Sequence, residues 1–319
     1  MKPFLAGLLL ASAISPAFAT EFPQRPVKIT VPVAPAGILD QVSRIIAPTL
    51  AENLGQTVIV ENRPGASGNI AATHVARSKP DGYSLLAGYS MFHVGNPVMY
   101  PKLDWDPIKD FKPVAMLVVS PHIVTVNPKQ PFQTLQDVVD YAKKNPKTLN
   151  HATSGNGSVP HIGVELFKQR TGVDIVHVPY KGAGPAVQDV IAGNVEITVA
   201  TPPSVVGFIR SGQLRPLAVA SEKRLPFLPD VPTTAQAGFP DFVLDAWVAL
   251  FAPADTPDDV VAKLTEAVKK TLATERVQQS LDGVGVQVRY MTPTQLDEQV
   301  RKDIAYWQPV IREAGISIE

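Results

Sequence analysis

The sequence predicts an α/β protein of two domains, each with a mainly parallel sheet flanked by helices. β-Branched runs alternate with loops and amphipathic stretches along most of the chain, an order typical of parallel strands joined by crossover helices. The length of 319 residues fits two domains at roughly 150 residues each. The composition, 45% hydrophobic and 18% charged, excludes a collagen-like or disordered chain.

Residues 1–19 have the pattern of a secretory signal peptide. Lys2 is followed by an apolar run from Phe4 to Ile14, and Ala17-Phe18-Ala19 forms a small-x-small cleavage site. The apolar run is shorter than the roughly 20 residues that span a bilayer. We therefore expect cleavage after Ala19 and a soluble, exported mature protein.

Units of strand, loop and helix open the mature chain. The predicted strands are 27–33, 57–61 and 83–89. A helix over 39–55 follows the first strand, because its apolar residues recur at helical spacing, and a second helix over 69–78 follows a glycine-rich loop. A further loop follows the third strand. The stretch 97–113 is rich in proline and aspartate, which predicts an irregular segment.

A second set of units begins near Pro121 and predicts a compact α/β domain. Its candidate strands alternate with helical patterns over 134–145 and 184–193. These strands are 122–126, 149–153, 174–178, 195–200 and 214–220.

The chain closes with a proline-rich connection over 225–240, a strand over 243–253 and two helices over 256–273 and 292–315. Each of the two helices begins with Thr-Pro. In each Thr-Pro pair the threonine is expected to cap the helix and the proline to occupy its first turn. Because the two helices are predicted without a strand set of their own, we assign them to the first domain. The first domain then comprises 20–121 with 226–319, and 122–225 is an inserted second domain.

Charge and cysteine content narrow the classes of function. Lys plus Arg and Asp plus Glu both total 29, and the chain has no cysteine. Balanced charge leaves no basic field for nucleic acid, and without cysteine no disulfide, thiolate nucleophile or Fe–S cluster can form. The six histidines lack metal-ligand spacing, and no P-loop is present. We expect no nucleic-acid partner, no metal and no cofactor.

Three glycine-rich loops stand at predicted strand-to-helix junctions, over 33–40, 61–70 and 153–163. In open α/β sheets ligands bind at the carboxyl ends of strands, where loop N–H groups and helix N-termini attract anions. In the third loop Ser154, Asn156 and Ser158 add side-chain donors, and Gly157 permits close backbone approach. This pattern predicts a carboxylate or phosphate site without lysine. The alternative is an ordinary capped helix start.

Four further residues are ambiguous when taken alone. Tyr180 and Lys181 follow a predicted strand and precede a helix, so the Tyr180 hydroxyl could face the same cleft as that helix N-terminus. Lys181 is either a cation for an anionic ligand or a solvated loop lysine. Asp40 either caps its helix or holds the first loop open, rather than touching a ligand. Trp247 either floors a cleft or belongs to the core.

Ser154 or Ser158 with His161 could also form the nucleophile and base of a secreted serine hydrolase. No orienting acid can be placed from the sequence, and no GxSxG elbow is present. Residues within one helical turn rarely form such a pair.

Several long motifs together resemble the tripartite tricarboxylate transporter substrate-binding proteins, also called the Bug family. The resemblance covers nearly the whole mature chain, with the motifs in the family's order and spacing. It is carried by APAGILD, ENRPGASGNIAATHVARSKPDGYSLL, HATSGNGSVPHIGVELF, VPYKGAGPAVQDVIAGNVEI and LRPLAVASEKRLPFLPDVPTTAQAGFP.

The resemblance implies a periplasmic receptor with the two-lobe fold of type II periplasmic binding proteins, often compared to a Venus flytrap. Such a receptor binds a small carboxylate, such as a di- or tricarboxylate or an aromatic acid, between its lobes. It delivers this ligand to integral membrane transporter subunits and is not an enzyme. We expect a monomer. A sensor-type adaptor that presents the loaded form to a signalling receptor is the alternative.

The resemblance also implies a set of ligand-binding residues from both lobes. Ala36 stands where the family commonly has glycine, so the first loop departs from the family's pattern. The far end of the ligand is expected to meet Tyr89, Ser90, Met91, Phe92, Thr201, Pro202 and Trp247. The loops expected to hold the carboxylate contribute Ala36, Gly37 and Asp40, then Ser154, Asn156, Gly157 and Ser158, supported by Tyr180.

Overall fold

A computed structural model describes residues 22–35 and 37–318, and ten strands of this part of the chain form one mixed sheet. The predicted signal peptide and Ala36 lie outside the described residues. The strands are β1 (Val27–Val31), β2 (Val58–Asn62), β3 (Ser84–Tyr89), β4 (Phe111–Val126), β5 (Asn150–Thr153), β6 (Val176–Pro179), β7 (Ile197–Ala200), β8 (Arg215–Ala220), β9 (Asp245–Pro253) and β10 (Gln287–Met291).

Helices flank this sheet, and several end at a glycine in the left-handed conformation. Gly55, Gly172 and Gly193 have φ of 67°, 71° and 85°, which suits a helix C-cap that other residues adopt only with strain. Within the described ranges, no helix is long and apolar enough to cross a membrane. The helices are α1 (Ile38–Leu54), α2 (Asn69–Ala76), α3 (Ser90–Met99), α4 (Leu135–Lys144), α5 (Val159–Thr171), α6 (Ala183–Ala192), α7 (Pro202–Arg210), α8 (Asp258–Leu272), α9 (Glu275–Gly283) and α10 (Pro293–Glu313).

Strand β4 joins two parts of the sheet. From Phe111 to Pro121 it pairs with β9, and from His122 onward it pairs with β8 and β7. The first part has the order β2-β1-β3-β9-β4, with β10 also beside β4, and the second part is β4-β7-β5-β6, with β8 also beside β4. The chain returns to the first part between Ala220 and Asp245. Two segments therefore connect the two parts.

The strands that pass through the middle of the molecule are buried on both faces. Strand β4 is buried without interruption from Val114 to Val126, and β9 from Ala246 to Pro253. Burial on both faces explains why these segments are nearly continuous apolar runs rather than alternating patterns. The resulting layers of helix and sheet confirm the α/β fold class.

The sheet is mixed because its central strands are antiparallel. β1 is parallel to β2 and β3, and β5 is parallel to β6 and β7. In contrast, β9 is antiparallel to β3 and β4, and β4 is antiparallel to β7 and β8. Parallel pairing therefore prevails only toward the two edges of the sheet.

Two predictions about local structure are wrong. A helix, α3, follows β3 directly where a loop was expected; its Gly95 and Pro97 are turn signals, but burial outweighs them. In this helix Asn96 is fully buried and donates a hydrogen bond to the Ser67 carbonyl at 2.8 Å. The closing segment also contains α9 and β10, which were not predicted, because β10 is short and only half-buried.

The two predicted threonine caps have different outcomes. Thr292 caps α10 in a capping box with Gln295, as predicted. The cap predicted for Thr256 is wrong, because Pro257 is the N-cap residue of α8. The Thr256 hydroxyl instead donates to the Pro253 carbonyl at 2.7 Å, which closes the turn after β9.

Candidate functional site

A cleft of about 540 Å³ opens where four helices begin. Helices α1, α5, α6 and α7 have the N-cap residues Gly37, Ser158, Gly182 and Thr201, and all four residues line the cleft. None of them makes a side-chain cap hydrogen bond to its helix. Helix N-termini present unpaired N–H groups and partial positive charge. Four of them around one cleft favour an anionic ligand.

The described lining of this cleft carries no formal charge, since it includes no Asp, Glu, Lys or Arg. An anion bound here would be neutralised by peptide dipoles and hydroxyl groups rather than by an ion pair. The apolar walls include Tyr89 and Phe92, whose rings meet edge to face at 5.4 Å. Besides Tyr89, which carries a hydroxyl, the polar side chains of the described lining are Gln41, His122, Ser154, Ser158, Thr198, Thr201 and Ser204.

Both parts of the sheet contribute to the cleft. Residues 33–35, 37–39 and 41, after β1, line one side of the cleft together with Tyr89 at the end of β3. Ser154, Gly182 and Thr201 line the opposite side, each following a strand of the second part. A ligand held in this cleft would contact residues from both parts.

Hydrogen bonds within the loop Ser154–Ser158 hold its shape. The Ser158 hydroxyl donates to the Gly155 carbonyl at 2.7 Å, and the Gly155 N–H donates to the Thr153 hydroxyl at 3.2 Å. Gly155 and Gly157 have φ of 133° and 71°, which other residues rarely adopt. The two glycines are therefore required by the backbone path of the loop.

A stacked pair of histidines supports this loop from behind. The rings of His161 and His177 lie 3.8 Å apart and nearly parallel, at 12°. The Gly157 N–H donates to His161 Nδ1 at 3.1 Å, and His177 Nε2 is hydrogen-bonded to the Thr153 hydroxyl at 2.6 Å. Burial lowers the pKa of each ring to about 4, so both are neutral at pH 7.

We expect acid to loosen this support. Because the folded-state pKa values of His161 and His177 lie near 4 and the unfolded value near 6.5, their contribution to stability is complete above pH 6.5. It is lost as the pH falls through 4. The melting temperature should therefore fall across this interval, and His177→Gln should make the fall shallower. An equally steep fall in His177→Gln would contradict this role.

The first loop is braced by a buried carboxylate. Asp40 is only 3% exposed, and one of its oxygens accepts hydrogen bonds from Asn62 at 2.8 Å and from Arg44 at 2.9 Å. Asn62 also donates to the Val33 carbonyl at 3.0 Å. Asp40 is not among the residues that line the cleft. The contacts of Asp40 fit the alternative that this residue holds the first loop in place rather than touching a ligand. Gly37, in contrast, lines the cleft.

Three predicted ligand residues in or beside the third glycine-rich loop lie away from the cleft in this conformation. The Tyr180 hydroxyl donates to an Asp189 oxygen at 2.6 Å, and burial together with this bond raises the pKa of Tyr180 to about 12. Asn156 is exposed, and Gly157 is buried against Met99 and Ile318. None of the three lines the cleft. Their ligand contacts stay predictions.

Ser90 and Trp247 line a second cavity, of about 330 Å³, beside α10 and β10. The Trp247 Nε1–H donates to Asp303 at 2.7 Å. Asp245 also lines this cavity, and its buried Oδ1 has no hydrogen-bond partner. Burial is the main reason that the pKa of Asp245 is raised to about 6. Of the residues expected at the far end of the ligand, Tyr89, Phe92 and Thr201 line the cleft of helix N-termini, whereas Ser90, Met91 and Trp247 line the second cavity.

The hydrogen bonds do not support a serine hydrolase. The Ser158 hydroxyl donates to the Gly155 carbonyl, and His161 Nδ1 accepts from the Gly157 N–H. His161 therefore does not accept a proton from Ser158, as a general base would.

Several cleft residues were not predicted from the sequence. The N-terminus of α6, from Gly182 to Gly184, and Ser204 in α7 line the cleft. Their signals are the glycines after Lys181 and the Thr-Pro-Pro run after β7, since both patterns start helices. His122 was missed because an apolar strand surrounds it in the sequence.

Comparison with known proteins identifies the family. The family model described as "Tripartite tricarboxylate transporter family receptor" matches residues 42–316. The chain belongs to this receptor family. The resemblance inferred from the sequence motifs is thereby confirmed, and so is the conclusion that the protein is a binding receptor rather than an enzyme.

A curated relative covers the whole length of this receptor. It is Protein BugT of Bordetella pertussis (strain Tohama I), which is 35% identical over 317 residues, or 98% of this chain and 97% of BugT. Full-length similarity of this kind means that the chain matches the relative over its complete fold rather than through one domain.

Solved structures of similar receptors share the fold. R. palustris Rpa4515 with adipate is 35% identical, with a TM-score of 0.84 over 93% of this chain and 99% of that structure. MatC (Rpa3494) from Rhodopseudomonas palustris with bound malate is 36% identical, with a TM-score of 0.79 over 91% and 100%. The periplasmic binding protein BugD is 32% identical, with a TM-score of 0.80 over 93% and 100%. The receptor thus has the periplasmic-binding-protein fold.

Proposed function

We propose that this receptor captures a small carboxylate in the cleft and delivers it to the integral membrane subunits of a tripartite tricarboxylate-type transporter. The observation that carries the proposal is the convergence of four helix N-termini without side-chain caps on a cleft with no charged lining residue. Such a site favours a compact anion with several oxygen acceptors. The mature protein acts in the periplasm as a monomer, after cleavage near Ala19.

The two parts of the sheet act as the lobes of this receptor. Lobe 1 comprises 20–121 with 226–319, and lobe 2 comprises 122–225. Each lobe alone offers the ligand only part of its partners, so a bound carboxylate favours the arrangement in which both lobes contact it. The membrane subunits then recognise the closed, loaded form.

A dicarboxylate is the ligand class that the comparisons favour. Rpa4515 and MatC, both about a third identical to this chain, have structures with adipate and malate. The cleft volume of about 540 Å³ lies within the range of small-molecule pockets, roughly 300 to 1,000 Å³. One carboxylate would bind at the N-termini of α5 and α6, and the rest of the molecule would extend toward Tyr89 and Thr201.

A thermal-shift screen of residues 20–319 against mono-, di- and tricarboxylates tests this proposal. A ligand at 100 times its dissociation constant stabilises the folded state by about 2.7 kcal/mol, which raises the melting temperature measurably. We expect at least one dicarboxylate to do so, and calorimetry to confirm one site per chain. The proposal fails if no carboxylate raises the melting temperature while uncharged amides or sugars do.

A further inference from the structure

We propose that His122 is a specificity residue of the cleft, whose Nε2 accepts a hydrogen bond from a hydroxyl group on the bound acid. This inference rests on the proposed function, because it concerns the far end of a carboxylate held in the same cleft. It predicts a preference for hydroxy acids over acids of equal length that lack the hydroxyl.

The hydrogen bond of Nδ1 sets the tautomer of His122. Its Nδ1 lies 2.9 Å from the Leu244 carbonyl oxygen. A carbonyl oxygen only accepts hydrogen bonds, so Nδ1 carries the proton. In the neutral ring Nε2 is then an acceptor. Burial lowers the pKa of His122 to about 4, which keeps the ring neutral at the pH of a binding experiment.

The remaining ring nitrogen opens onto the cleft. His122 lines the cleft although its side chain is only 1% exposed. Nε2 has no hydrogen-bond partner among the described residues, and it is not fully enclosed by protein atoms. The cleft is therefore where a donor can reach it. A buried acceptor without a donor is unfavourable, and a ligand hydroxyl would supply one.

The position of His122 makes this acceptor rigid. It lies where β4 changes partners between the two parts of the sheet, and it is opposite Ala220 in the register with β8. Leu244, which holds Nδ1, donates its own N–H to the Ala220 carbonyl at 2.8 Å. Both segments that connect the lobes thus fix the imidazole. A group held by a rigid backbone discriminates between ligands better than one on a mobile loop.

The test compares matched acids in wild type and His122→Asn. An asparagine amide can occupy the place of Nδ1 and keep the Leu244 hydrogen bond, but it cannot reach the place of Nε2. The probes are succinate with malate and glutarate with 2-hydroxyglutarate, titrated by calorimetry. We expect wild type to bind the hydroxy acid of each pair about 5- to 10-fold more tightly than its partner, and His122→Asn to bind the two acids of each pair with equal affinity.

Three results separate the possible failures. An unchanged hydroxy-acid preference in His122→Asn, or no preference in wild type for either pair, overturns the role of His122 while the receptor function stands. Proton uptake at pH 7, detected as a binding enthalpy that depends on the buffer, also overturns it, because a neutral acceptor takes up no proton. If none of the four acids binds, this inference fails, and the proposed function fails with it only if the wider carboxylate screen also finds no ligand.

Discussion

Replacing Ser158 by aspartate should abolish carboxylate binding without unfolding the receptor. Ser158 is the N-cap residue of α5 and lines the cleft. An aspartate there would accept hydrogen bonds from the free N–H groups of α5 itself, as N-cap aspartates do. It would also place a negative charge beside the ligand. Two like charges about 4 Å apart repel by about 4 kcal/mol at an effective dielectric constant of 20, so we expect affinity to fall by at least about 100-fold.

Ser158→Asn is the matched control for this experiment. Asparagine caps a helix about as well as aspartate does but carries no charge, so its affinity should stay within about 10-fold of wild type. The melting temperature of the unliganded Ser158→Asp protein should equal or exceed that of wild type. If Ser158→Asp binds the acid as tightly as Ser158→Asn, the carboxylate does not lie at this helix N-terminus.

Replacing Asp245 by asparagine should stabilise the protein at neutral pH. The carboxylate is largely buried, its Oδ1 has no hydrogen-bond partner, and its pKa is raised from 3.8 to about 6. Each pKa unit corresponds to 1.36 kcal/mol, so ionised Asp245 destabilises the fold by about 3 kcal/mol at pH 7. We expect urea unfolding at pH 7.5 to show a gain of about 2 kcal/mol in Asp245→Asn, since the amide satisfies only part of its own hydrogen bonds.

The stabilisation by Asp245→Asn should depend on pH. The pKa of Asp245 is higher in the folded than in the unfolded state. Asp245 therefore does not destabilise the wild type below pH 4, where it is protonated in both states, and it destabilises the fold increasingly as the pH rises through 6. The advantage of Asp245→Asn should therefore vanish at pH 4. Asp137→Asn is the control, because hydrogen bonds from the Gln133 and Thr134 N–H groups lower the pKa of Asp137, so its replacement should not stabilise. A gain for Asp245→Asn that is equal at both pH values would refute this explanation.

The sequence predicted most strands and most helices because their signals are local. The apolar run over 27–33 and the helical spacing over 39–55 correspond to β1 and α1, and β-branched runs and amphipathic spacing need no knowledge of distant residues. Helix α3 shows the limit of this reasoning. Its Gly95 and Pro97 are local turn signals, and contacts with a distant loop decide that the segment is helical.

Part of the candidate site was predictable for the same reason. Ser154, Ser158 and Gly37 stand at strand-to-helix junctions, and such junctions meet at one edge of a parallel sheet. The direction in which a side chain points was not predictable. Tyr180 follows the next junction, yet its hydroxyl is bound to Asp189 nine residues later. Trp247 lies on a buried strand and lines the second cavity. Its direction could not be predicted, because β9 is buried on both faces and its sequence shows no alternation of apolar and polar residues.

We propose that the carboxylate of the ligand binds at the helix N-termini of the cleft. A crystal structure of residues 20–319, grown with the acid that gives the largest thermal shift, tests this directly. We expect carboxylate oxygens at about 3 Å from backbone nitrogens at the starts of α5 and α6, with no charged side chain in contact. A carboxylate paired with Arg289 or Lys302 in the second cavity would contradict it.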